Sequence, residues 1–149
     1  MSSNYLLDTN LLIYTLDPRE PVKRPRAGRV VEHLIRRGNA ALPAQTLSEF
    51  SHVCLRKLQP PLSPETVERE VERLILTFPV IPLTAQVALE ALRGVRVHRM
   101  PYYDAQIWAF ARLGQVPVVL SEDFNPGATI EGISFLDPLR EGFEVESLG

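Results

Sequence analysis

Tyr5-Leu6-Leu7-Asp8-Thr9-Asn10-Leu11-Leu12-Ile13-Tyr14 is the stretch that decides the fold. An apolar run closed by an acid suits a short strand buried on both faces, as in a parallel sheet. Asp8, Thr9 and Asn10 then offer capping side chains to a short helical piece over residues 11–16. Further strand patterns follow at 40–42, 80–81, 116–120 and 133–136. Helix-period segments alternate with them. One covers 27–37 and is stopped by Gly38, another starts at Thr46, and a third follows Ser63-Pro64. A fourth runs from Thr84 to Arg93 and closes at Gly94, and a fifth covers 103–113. Phe124-Asn125-Pro126-Gly127 reads as a turn. Alternation of this kind predicts an α/β fold with a central, mostly parallel sheet flanked by helices on both faces. No linker divides the pattern, so residues 1–149 read as one domain.

Composition narrows the function. With 45% hydrophobic and 23% charged residues, the chain is an ordinary globular one. At 149 residues it can bury about 68–70% of its unfolded surface and needs no staple. Its single cysteine, Cys54, excludes an internal disulfide framework and a multi-cysteine zinc cage. No apolar run reaches the ~18 residues that span a bilayer, so the expectation is a soluble, cytoplasmic protein with no membrane partner. The net charge of −2 argues against a strongly cationic coat. It hides an asymmetry: residues 19–37 are rich in arginine and lysine, whereas residues 121–149 hold seven acids against Arg140. The basic stretch, with Arg93, Arg96 and Arg99, reads equally as phosphate contacts, a solvated face or a dock for an acidic partner. Arg99 is the first candidate for phosphate contact, because its loop leads straight to Asp104.

The carboxylates carry the chemistry. Asp8 ends the first strand and Asp123 lies just past the 116–120 strand. The carboxyl ends of parallel strands form the ligand crevice of an open sheet. Connecting helices run antiparallel to the strands, so their first turns meet that same edge. Glu49 and Asp104 stand in such first turns. Each acid also has a purely structural explanation. Asp8 can cap a helix, Thr46-Leu47-Ser48-Glu49 matches a capping box, Asp104 suits a helix dipole, and Asp123 suits an Asx-turn. Their joint placement on one rim points beyond those roles. Four crowded carboxylates repel each other, and a helix N-terminus offsets only about 0.3–1 kcal/mol. A divalent cation resolves the conflict, and all-oxygen ligands favour Mg²⁺ or Mn²⁺ over zinc. Such a centre can activate water against a phosphodiester. Thr9, Asn10 and Ser121 are placed to support it.

The opening stretch resembles the first motif of PIN-domain nucleases. Leu47-Ser48-Glu49-Phe50 resembles the second and Tyr103-Asp104-Ala105-Gln106-Ile107-Trp108-Ala109 the third. Leu120-Ser121-Glu122-Asp123-Phe124, with Ile133-Ser134-Phe135-Leu136-Asp137-Pro138, resembles the closing segment. Four motifs in order cover nearly the whole chain, and the branch they resemble is the VapC-type toxins of toxin–antitoxin pairs. That resemblance implies a PIN-like three-layer fold and a Mg²⁺-dependent endoribonuclease. It also implies RNA as substrate, a homodimer and a small antitoxin partner. It makes Asp8, Glu49, Asp104 and Asp123 catalytic metal ligands, with Thr9, Asn10 and Ser121 as supporting polar residues. Glu122 is the alternative to Asp123 as fourth acid.

Other chemistries fit less well. A phosphoaspartyl enzyme would carry a second aspartate where Asn10 stands, and Lys23 and Lys57 do not follow a late strand. Glu49 and His52 form a Glu-x-x-His pair, but a di-iron bundle needs a second pair. A non-catalytic PIN-like interaction module is the remaining alternative.

Overall fold

The computed structural model describes residues 3–125 and 127–149, so Pro126 of the expected turn lies outside the described residues. Strand β1 (Tyr5–Leu7) leads through Asp8 into α1 (Thr9–Tyr14). Then come α2 (Lys23–Arg37), β2 (Ala40–Pro43), α3 (Ala44–Arg56), α4 (Pro64–Thr77) and β3 (Val80–Ile81). Helices α5 (Ala85–His98) and α6 (Tyr102–Gly114) precede β4 (Val118–Leu120), β5 (Thr129–Ile130) and β6 (Ile133–Leu136). A short 3₁₀ turn covers Val145–Ser147.

The six strands order as β3-β2-β1-β4-β6-β5. All neighbours pair in parallel except β5 with β6. Side chains alternate across the sheet as a period of two requires. Leu6, Ala41, Val119 and Phe135 face α5 and α6, where Trp108 and Phe110 are fully buried. Leu7, Leu42 and Leu120 face the other way, onto Leu11, Leu12, Val30, Leu34 and Phe50 of α1, α2 and α3. Both faces are therefore apolar and covered by helices, as the uninterrupted strand patterns require. Cys54 is buried in the second layer.

Four local expectations differ. Helix α2 begins at Lys23, not at 27, and runs through Pro25. A proline in a first turn gives up an N–H that has no intrahelical partner anyway. Helix α3 begins directly after Pro43, two residues before Thr46. The Thr46 hydroxyl is fully buried and donates to the Leu7 carbonyl at 3.0 Å, so it ties α3 to β1 instead of capping a helix. Helix α5 does not stop at Gly94 but continues to His98. There Gly94 serves packing: a Cβ on it would sit 2.9 Å from Trp108 Cζ3. The sequence pattern does not announce the antiparallel β5. Its hairpin turns through Glu131 and Gly132 with φ of 49° and 83°, the positive values a two-residue turn demands.

Candidate active site

The parallel order brings the carboxyl ends of β1 and β4 side by side, with Leu7 paired to Leu120. The next residues, Asp8 and Ser121, inherit that proximity, and Ser121 Oγ donates to Asp8 Oδ2 at 2.7 Å. Asp8 Oδ1 accepts from the Thr9 amide at 2.8 Å, which caps α1. Asn10, in the first turn of α1, reaches across β4. Its Nδ2 donates to Asp123 Oδ2 at 2.9 Å and to Ser121 Oγ at 3.3 Å, while its buried Oδ1 has no partner among the described residues.

Glu49 comes to the same rim on α3. Its Oε2 accepts from Thr9 Oγ1 at 2.9 Å and its Oε1 from Gln45 Nε2 at 2.7 Å. Gln106 Nε2 in turn donates to Gln45 Oε1 at 2.6 Å. This chain of buried amides fixes Glu49 from α6 through α3. The signal for it in the sequence is the i,i+4 spacing of Gln45 and Glu49 on α3. Glu49 is thus not the second half of a capping box, because Thr46 is engaged elsewhere.

Asp104 sits in the first turn of α6 and is half-buried. Burial raises its pKa, and the charges of Asp123 and Glu49 add to the rise. Asp8 shows the same pattern more strongly. Burial pushes its carboxyl up to about 6, against hydrogen bonds from Ser121 and Thr9 that pull it down, and Glu49 and Asp123 push it further up. Asp8 and Asp104 therefore both feel the charges of Glu49 and Asp123. Among the described residues none of them pairs with a lysine or arginine.

Glu122 is used differently. Lys23 Nζ lies 2.9 Å from its Oε2, and the Tyr14 hydroxyl donates to its Oε1. Burial, then the bond to Glu122, push the Tyr14 hydroxyl up to about 12. Glu122 is neutralised, whereas Asp123 remains beside the other acids.

The donors are hard oxygens on a rim poor in cations, a set that suits a divalent ion such as Mg²⁺. Among the described residues no three Asp, Glu, His or Cys side chains are gathered closely enough to hold an ion as they stand. Three of the four acids take a protein donor: Asp8 takes Ser121, Glu49 takes Gln45 and Thr9, and Asp123 takes Asn10. Two clefts flank Glu49. One, of about 350 Å³, is lined by Thr9, Ser48, His52 and Lys57. The other, of about 530 Å³, is lined by Gln45, Leu83, Tyr103 and Gln106. Tyr103 is 66% exposed, so its ring is open to solvent. Arg99 is exposed at the left-handed cap of α5, five residues before Asp104, and pairs with none of the four acids. No helix among the described residues is long and apolar enough to cross a membrane.

A search of curated proteins finds no sequence match. Solved structures do match in fold. A toxin–antitoxin complex from Klebsiella pneumoniae aligns with 20% identity and a TM-score of 0.64, over 90% of this chain and 97% of that one. A DNA-bound VapBC from Salmonella typhimurium aligns with 22% identity and a TM-score of 0.63, over 91% and 98%. PAE2754 from Pyrobaculum aerophilum aligns with 17% identity and a TM-score of 0.64, over 98% and 89%. At these identities the likeness is one of fold. In sequence, the family model of the PIN domain matches residues 5–126, most of the chain and all four acids, and the chain therefore belongs to the PIN domain family.

Proposed function

We propose that the protein is a divalent-metal-dependent endoribonuclease, the toxin of a type II toxin–antitoxin pair, built as one PIN-like domain over residues 1–149. The observation that carries this reading is the rim on which Asp8 and Asp104 both feel the charges of Glu49 and Asp123, with none of the four paired to a lysine or arginine among the described residues. Similarity to chains from toxin–antitoxin complexes supports the assignment to a pair silenced by a small antitoxin. The toxin would act in the cytoplasm as a homodimer.

Mg²⁺ or Mn²⁺, when bound, would supply Lewis acidity toward water and the phosphodiester. Asp8, Glu49, Asp104 and Asp123 are the residues that would hold it. Ser121 and the Thr9 amide keep Asp8 aimed at the rim. Asn10 holds Asp123, and the Gln106–Gln45 relay holds Glu49. Carboxylates held in place in advance would position the cation without rearrangement as charge develops on the phosphoryl group. In the reaction, water oxygen bonds to phosphorus and the bond from phosphorus to the ribose 3′ oxygen breaks. The 2′-hydroxyl takes no part, so the ends are 5′-phosphate and 3′-hydroxyl. Asp123 is the fourth acid in this scheme, because Glu122 is already paired with Lys23.

The test is cleavage of end-labelled structured and single-stranded RNAs with Mg²⁺, Mn²⁺ or EDTA. Wild type is compared with Asp8→Asn and Asp104→Asn, both shown to be folded. Metal-dependent cutting lost in both variants is the expected result. Cutting that persists in both would contradict the reading. A folded wild type that neither cuts nor binds metal would favour the interaction module.

A further inference from the structure

Beside the acid rim lies a cavity of opposite character. It measures about 70 Å³, and Arg26, Arg29 and Arg140 are the only charged residues that line it among those described, with Pro138, Gly142 and Phe143 among its walls. That is room for a few waters or one tetrahedral oxyanion. Among the described residues, none of the three arginines is in an ion pair. Arg26 is held in place by donating from Nη1 to the Leu139 carbonyl at 3.0 Å. The Arg140 guanidinium stacks over the Phe143 ring at 5.4 Å. Arg29 stands one turn after Arg26 on α2 and is exposed. Glu144 and Glu146 line the neighbouring cavity, which Arg29 also borders, and do not pair with the three.

The pocket lies toward the same, carboxyl end of the sheet. Pro138 follows β6, and the Leu136 carbonyl of β6 accepts from the Ser121 amide at 2.9 Å. Arg26 lies three residues after Lys23, whose ammonium is already committed to Glu122. Strands β1 and β6 are two spacings apart, about 10 Å. Three positive forks around a small void repel one another until an anion enters. Guanidinium groups match phosphate oxygens bidentately, so an oxyanion with several oxygens satisfies all three at once.

We propose that Arg26, Arg29 and Arg140 form a phosphate-binding pocket that holds a backbone phosphate of the RNA strand lying across the carboxyl edge of the sheet. The choice of RNA as the source rests on the proposed nuclease function. The shared chemistry is a phosphoryl oxyanion, which a free phosphorylated metabolite could also present.

The experiment uses the full chain in EDTA, where no strand is cut, with a fluorescently labelled single-stranded RNA over a series of salt concentrations. The variants are Arg29→Gln and Arg140→Gln, both at exposed side chains, with folding checked by circular dichroism. Each variant is expected to bind RNA about three- to tenfold more weakly. Each should also flatten the slope of log affinity against log salt by about 0.7 per lost phosphate contact. Inorganic phosphate should compete with RNA for wild type beyond its effect on ionic strength, and less for the variants. Equal RNA affinity and equal slopes would overturn the pocket and leave the arginines to an acidic protein segment. Phosphate that stabilises wild type but not the variants, with RNA binding unchanged, would overturn RNA as the source. Cleavage with Mg²⁺ is read separately. A wild type that cuts while the variants bind normally sinks the pocket alone. The expected binding pattern without cutting sinks the nuclease reading alone.

Discussion

Asp8 shows what the metal-free site costs the protein. Its folded pKa of about 6 stands above the ordinary value of 3.8 for a free carboxyl. A group raised in this way contributes most to stability below the lower value, and that contribution is lost as pH rises through the upper one. Near neutral pH the ionised Asp8 therefore destabilises the metal-free chain. Asp8→Asn keeps the shape and an acceptor for the Thr9 amide while removing the charge. It should raise the melting temperature of the protein in EDTA near neutral pH, by the equivalent of about 1–3 kcal/mol. The gain should shrink as pH falls below 6 toward 3.8. Calorimetry over that range checks it, and a variant no more stable than wild type near neutrality would mean that burial does not hold the Asp8 carboxyl up. Which residues gather on the rim is legible in the sequence. How they are held is only partly so. Asp8 as cap and Asp123 beyond a strand follow from position. Glu49 is placed on the rim by its position too, but its release from a capping box shows only in the bond from Thr46 to Leu7, a contact between residues 39 positions apart.

At the scale of elements, two glycines make opposite predictions. Gly94 lies inside α5 where that helix meets α6, and an added Cβ would fall 2.9 and 3.0 Å from the Trp108 ring and 3.3 Å from Ala105 Cβ. Trp108 is fully buried, with its Nε1 donating to the Ile130 carbonyl at 3.1 Å, so it has little freedom to yield. Gly94→Ala should therefore destabilise by about 1–3 kcal/mol despite the better helix propensity of alanine. Gly28, inside α2, has nothing within 4 Å of the place a Cβ would take. Gly28→Ala should stabilise by about 0.5–1 kcal/mol. Urea unfolding of both variants measures the pair, and a stabilising Gly94→Ala would contradict the packing account. The same glycine explains one misread boundary. Gly94 carries the composition of a helix stop, but the close approach of α6 is a tertiary fact that composition does not contain. The β5–β6 hairpin escapes for a related reason: Glu131-Gly132 lacks the Asn-Gly or Asp-Gly signature of such turns. Glu131 is held in place by side chains distant in sequence, with Arg93 Nη1 and Nη2 each 2.9 Å from its carboxylate.

Across the whole molecule, the sheet order sets where the acids meet. Placing β1 between β2 and β4 lines up the ends of β1 and β4 with the first turns of α3 and α6, and so gathers Asp8, Asp123, Glu49 and Asp104. The uninterrupted apolar strands announce this parallel, doubly covered sheet. The extra edge strand β5 does not alter it. The asymmetric charge also finds a place. Lys23 pairs with Glu122 and leaves Asp123 to the acid cluster, while Arg26, Arg29 and Arg140 line a separate cationic pocket. The central claim is that the four acids form one divalent-cation site. Calorimetric titration of Mn²⁺ into the metal-free protein tests it directly, with Asp8→Asn and Asp104→Asn as comparisons. The account predicts saturable binding by wild type, weakened about tenfold or more in each variant. No saturable binding, or equal affinity in all three proteins, would contradict it.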